Sequence, residues 1–92
     1  MRMLVLTAAV ALSGCAATSY SDYAVTRFIG RADMCAHWSG EEPYDAGRRA
    51  EIDNALREMR CATLLRDGEA LKISRKDRPE DVGRINEALA AF

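Results

Sequence analysis

The chain reads as a mainly α-helical protein, a single small domain of two to three helices that follows a short apolar run. Three observations predict this. Apolar residues recur at three- and four-residue spacings through Val25–Ala36, Ile52–Met59 and Val82–Phe92, which places each set on one helix face. Helix-starting and helix-ending residues bracket those stretches. The length of 92 residues allows one core only, with a net stability of a few kcal/mol.

The first element is not part of that domain. Met1, Arg2 and Met3 carry one positive charge, Leu4 to Leu12 form an uncharged apolar run, and Ser13-Gly14-Cys15 close it with small residues. A charged start, a short apolar middle and a small-residue exit describe a secretory signal segment. Nine residues at about 1.5 Å each reach only half of a ~30 Å hydrocarbon core, so the run is not a spanning helix. Its exit residue is a cysteine. Leu12-Ser13-Gly14-Cys15 resembles the lipobox of bacterial lipoproteins, and the likeness covers residues 1–15 only. It implies cleavage before Cys15 and acylation of its sulfur, which makes 1–14 a signal peptide, 15–20 a lipidated tether and 21–92 the domain. In that family the residue after the acylated cysteine helps sort the protein between membranes. Ala16 is not the aspartate associated with inner-membrane retention, so the expectation is the outer membrane, with the domain facing the periplasm.

The resemblance also changes the cysteine arithmetic. There are three cysteines, Cys15, Cys35 and Cys61, and acylation of Cys15 leaves an even pair in an oxidising compartment. A Cys35–Cys61 disulfide is therefore expected, and closing a loop of about 27 residues contributes roughly 3–4 kcal/mol. Two unpaired buried thiols are the plain alternative. A metal pair lacks the second Cys or His that such sites place beside each ligand.

Taken in order, Ser19 and Asp22 have capping-box spacing and mark a helix start. Val25, Phe28, Ile29, Ala32, Cys35 and Ala36 share one face, with Arg27, Gly30, Arg31, Asp33 and Met34 opposite. A strand through 23–29 competes on residue type, but its alternation breaks at Phe28-Ile29. Ser39-Gly40 ends the helix. Pro43 and Asp45 suit the first turn of the next one, whose strongest segment runs from Arg48 to Arg60 with Ile52, Ala55, Leu56 and Met59 as its stripe. Cys61, nine residues past Ile52, would point away from that stripe on a regular helix. The helix must therefore end or tighten near Arg60 to turn Cys61 inward.

A disulfide conflicts with a simple hairpin of these two helices, since α-carbons must approach to about 4.4–6.8 Å. Either 36–42 runs back extended along the second helix, or the first helix is shortened and the pair staggered. Beyond Cys61 two readings stand side by side: a β-hairpin turning at Asp67-Gly68, or a helix that stops there. Residues 74–78 read as charged and exposed. Pro79-Glu80-Asp81 opens a last helix with Val82, Ile85, Ala88, Leu89 and Phe92 on one face, covering the other two.

The one dense cluster of functional residue types is His37, Trp38, Glu41, Glu42, Tyr44 and Asp45. Trp38 and Tyr44, rimmed by Glu41, Glu42, Arg48 and Arg49, form a candidate partner-binding segment, because Trp, Tyr and Arg dominate interface energetics. The competing role for a sole tryptophan is a core plug beside the disulfide. A catalytic site at His37 lacks a nucleophile once the cysteines are consumed. A metal site at His37 with Glu41, Glu42 or Asp45 matches no closed zinc pattern, so no catalytic residue, metal ligand or cofactor is assigned. The alternating charges of the second helix read as a solvated face. The net charge is −1, and −2 without Arg2, which offers no basic excess for nucleic acid. The functional expectation is a lipid-anchored, non-enzymatic binding or structural module of the cell envelope, its partners the membrane through Cys15 and an envelope protein. The alternatives are a metal-binding or hydrolytic site at His37, or a small stress or lysis lipoprotein.

Overall fold

The computed structural model describes residues 13–92, with side chains from Tyr23 onward. The leader expected over 1–14 lies, but for its last two residues, outside the described residues. The described chain forms α1 (Ser13–Ser39), α2 (Ala46–Glu58), a 3-10 turn (Cys61–Thr63), α3 (Leu64–Ser74) and α4 (Pro79–Ala90), with no strand among the described residues. No described helix is long and apolar enough to cross a membrane.

α1 begins before Ser19, so Ser19 is not its cap and the tether expected over 15–20 continues the helix. Ala16 and Ala17 are the strongest helix formers available, and nothing between them and Tyr23 breaks a helix. The helix, not the strand, holds residues 23–29. Val25, Phe28, Ala32 and Cys35 are buried and Ile29 and Ala36 half-buried, on the face that the spacing selects. Ser39-Gly40 does end the helix, with the Gly40 N–H donating to Ala36 O and His37 O at 3.2 Å each. Arg31 departs from expectation. It sits 40° around the helix from Cys35 at 100° per residue, and its side chain is 15% exposed rather than out in solvent.

α2 opens one residue after Asp45. Asp45 is the N-cap rather than a first-turn residue, its side chain accepting from the Arg48 N–H at 2.7 Å. The helix stops at Glu58, and Arg60 adopts the left-handed conformation at φ 53°, ψ 47°. That reversal turns Cys61 inward as anticipated, to 7% exposure. Cys35 and Cys61 form the disulfide with α-carbons 5.6 Å apart. The hairpin conflict is resolved in a mixed way: α1 keeps its full length, residues 36–39 stay helical, and only 40–45 run without helix. Arg31 meets the end of α2 while Trp38 meets its first turn and lines a depression with Ile52 and Leu56, so the two helices run antiparallel.

α3 corrects both readings of the Asp67-Gly68 stretch. No hairpin forms and the helix does not stop; it passes through Gly68 to Ser74. Gly68 is buried, and a β-carbon there would stand 2.8 Å from Leu89 Cδ1 and 2.9 Å from Phe28 Cζ. The glycine is thus a point of close helix approach, not a turn. In the 74–78 segment Ser74, Lys76 and Asp77 are exposed as expected, but Arg75 and Arg78 are half-buried. Both pair with Asp81, which is 4% exposed in the first turn of α4. On α4, Ile85 and Ala88 are buried, Val82 and Leu89 half-buried, and Phe92 is exposed. α4 covers α1 and α3 rather than the first two helices. The core is Val25, Phe28, Ala32, Cys35, Cys61, Leu64, Ile85 and Ala88, with Leu56, Met59, Leu71 and Leu89 packed against it.

Candidate functional site

The candidate residues converge at the far end of α1, where it meets the connector and α2. Trp38 is half-buried in the last turn of α1. Arg48, in the first turn of α2, lays its guanidinium over the Trp38 ring at 5.1 Å from the centroid, a cation–π contact. The same guanidinium bonds Glu41 from the connector through Nη2 and Glu51 through Nη1 at 3.2 Å. Glu41 also lies 3.6 Å from His37 Nε2 through its other oxygen. The imidazole stands edge-on to the indole, centroids 5.6 Å apart.

Folding brings these residues together for local reasons. Asp45 caps α2 and so sets Arg48 on the first turn, and Gly40 ends α1 so that Glu41 turns back toward it. The Arg48 hydrogen bond holds the Glu41 carboxyl below the usual glutamate range, against the opposing effect of burial. Glu41 raises the affinity of Arg48 for its proton in return. Beside this unit lies a shallow depression of about 260 Å³, with Trp38, Pro43, Ile52 and Leu56 as apolar lining and Glu41, Arg49 and Asp53 as polar rim.

Two of the candidate residues stand outside the unit. Tyr44 is 76% exposed and Glu42 is exposed on the connector. Trp38 is neither a core plug nor a free anchor: its ring is held between the arginine and the edge of the depression. Sequence reasoning missed Glu51, Ile52 and Leu56 as members of this site. The signal was there in Glu51 at three residues from Arg48, and in Ile52 and Leu56 as residues of the second helix's apolar stripe.

For the alternative at His37, the imidazole is 59% exposed and its nearest carboxylate, Glu41, is engaged by Arg48. Among the described residues no three His, Cys, Asp or Glu side chains gather as metal ligands would. Ser39 is exposed at the helix end.

A larger groove of about 560 Å³ runs along α1 between Phe28, Met59 and Leu71. Arg27 and Glu58 also line it, and its central polar groups are tied up in one clamp. Arg31 donates from Nε to Met59 O at 2.7 Å, and from Nη2 to Arg60 O at 2.7 Å and Asp67 Oδ2 at 2.8 Å. Thr63 donates to the same Asp67 oxygen at 3.0 Å. Cys15 lies in α1, within the residues described by backbone.

No family model, curated protein or solved structure matches this chain.

Proposed function

We propose that this is a lipid-anchored envelope protein, held by acyl chains on Cys15 and presenting the Trp38–Tyr44 segment to a protein partner. The observation that carries it is the Trp38 ring. An indole half-open beside an apolar depression, fixed by a guanidinium that is itself held by two carboxylates, loses little freedom on binding. Pre-organisation of that kind is what a binding anchor needs. Tyr44 adds a second amphipathic ring, exposed on the connector.

The anchoring half of the reading rests on the Leu12-Ser13-Gly14-Cys15 resemblance. Two or more acyl chains, at about 0.8 kcal/mol per buried methylene, hold a protein stably on a bilayer. With Ala16 next to the acylated residue, the outer membrane of a Gram-negative envelope is the destination, and the domain faces the periplasm.

The test is crosslinking of the intact lipoprotein in cells, with captured proteins identified and compared between variants. Tyr44→Ala, at an exposed position, should abolish or strongly reduce capture without changing the melting temperature, and Trp38→Ala should do the same at some cost in stability. His37→Ala should be nearly silent, and a chelator should leave melting unchanged. Capture that survives both aromatic substitutions removes the binding reading. A chelator-induced drop in melting temperature, abolished in His37→Ala, would favour the metal site instead.

A further inference from the structure

The order of contacts along α1 fixes which end of the domain faces the anchor. Asp67 meets Arg31, Gly68 meets Phe28, and Leu71 lies beside Ala24 and Phe28, so α3 descends α1 toward its N-terminal end. α4 returns in the opposite sense: Ala88 and Ala91 lie beside Ile29 and Asp33, and Phe92 beside Ser39. The α3–α4 turn over 75–78 therefore sits at the Tyr23 end of α1, and the Trp38–Arg48 unit at the other. α1 is one helix from Ser13 to Ser39. At 1.5 Å per residue, Cys15 and Trp38 are about 35 Å apart on one rod.

We infer that the domain stands on end from its anchoring bilayer, with the α3–α4 turn nearest the headgroups and the Trp38 surface held about 35 Å away by α1. This rests on acylation of Cys15. A flexible tether would let the binding surface reach the membrane at any tilt of the domain. A helix that enters the core at Val25 with no break keeps Trp38 about 35 Å from Cys15, so the surface meets the bilayer only if the whole domain lies flat. The partner is accordingly a protein standing clear of the anchoring bilayer, soluble or attached to a layer beyond it, and not a component of the same leaflet. The near end suits its position: Ile73 is 70% exposed in the last turn of α3, with Lys76 exposed in the turn below it.

The sole tryptophan makes this measurable. The acylated full-length lipoprotein is reconstituted in phosphatidylcholine vesicles carrying a dansyl-headgroup lipid, and energy transfer from tryptophan to dansyl is recorded. Native Trp38 should transfer weakly. In the Trp38→Phe background, Ile73→Trp should transfer several-fold more strongly, and Tyr23→Trp provides a second near-end probe should the first variant not fold. Equal transfer from the two ends, or stronger transfer from Trp38, overturns the upright orientation while leaving the anchor intact. A Cys15 that mass spectrometry shows unmodified, in protein that does not float with vesicles, overturns the anchor and the orientation together.

Discussion

Arg31 caps a helix to which it does not belong. Its guanidinium supplies donors to the last carbonyls around the end of α2, at Met59 and Arg60, and pairs with Asp67 on α3. The left-handed turn at Arg60 leaves the Met59 carbonyl without the next helical turn; the arginine satisfies it, shares Arg60 O with the Thr63 N–H, and fixes the reversal that delivers Cys61 to the core. Asp67 completes the clamp, and the Arg31 hydrogen bond holds its carboxyl below the usual aspartate range, helped by Thr63. A carboxylate with a lowered pKa in the folded state contributes stability that is fully present above its unfolded value and is lost as pH falls through the folded one. The melting-temperature gap between the native protein and Asp67→Asn should thus be steady from neutral pH down to about pH 4 and close at more acid pH. Glu41 titrates in the same direction but is common to both proteins and cancels in the comparison. A gap that stays constant into strong acid would show that Asp67 acts by shape and not by charge.

At the scale of elements, much of the domain was legible because helix faces follow from spacing alone. The stripes Val25–Cys35 and Ile85–Ala88 are buried as read, and the predicted inward turn of Cys61 followed from nine residues of helical arithmetic. What escaped are features that depend on a neighbour. Gly68 carries the same local signal whether it turns a hairpin or lets two helices touch, and only the approach of Phe28 and Leu89 decides between them. Asp81 looks like a first-turn acid that any helix start would accept; its burial comes from Arg75 and Arg78 closing over it. Likewise the Trp38 site was readable as residue types in one stretch, while the geometry that binds them comes from α2 lying alongside. The two kinds of glycine can be told apart by experiment. Gly30→Ala, on an exposed helix face with nothing within 4 Å of the new β-carbon, should stabilise the domain by about 0.5–1 kcal/mol through helix propensity. Gly68→Ala gains the same propensity but forces a methyl against two core side chains, at about 1–3 kcal/mol, so its net effect should be destabilising. Thermal melts settle the sign at each position, and a Gly68→Ala protein that melts higher than the native one would show that the α3–α4 contact is looser than the distances imply.

The described residues divide into a three-helix body and an attached arm. α1, α3 and α4 share the core, whereas α2 buries only Ile52 along its length and packs on α1. Besides the packing of Leu56 against the core, three devices hold the arm: the disulfide at its end, the Arg31 clamp beside it, and the Arg48–Trp38 contact near its start. Of these the disulfide acts on the unfolded chain as well, since it closes a loop with a sequence separation of 26, worth roughly 3–4 kcal/mol in the chain-entropy account. For a domain of this size a loss of that order lowers the melting temperature by 10 °C or more, at roughly 4–8 °C per kcal/mol. The loss should also be uneven. In hydrogen exchange on the reduced protein, amides of 46–58 should lose protection well before those of 25–35 and 85–89, because few buried contacts remain to hold α2 once its covalent tie is cut. The Trp38 surface would go with it, since the arginine and the depression's far wall both belong to α2. Reductant should therefore abolish partner capture under conditions where the three-helix body still melts cooperatively. Uniform loss of protection across all four helices would mean instead that α2 is part of one cooperative unit, and that the disulfide supports the core as a whole.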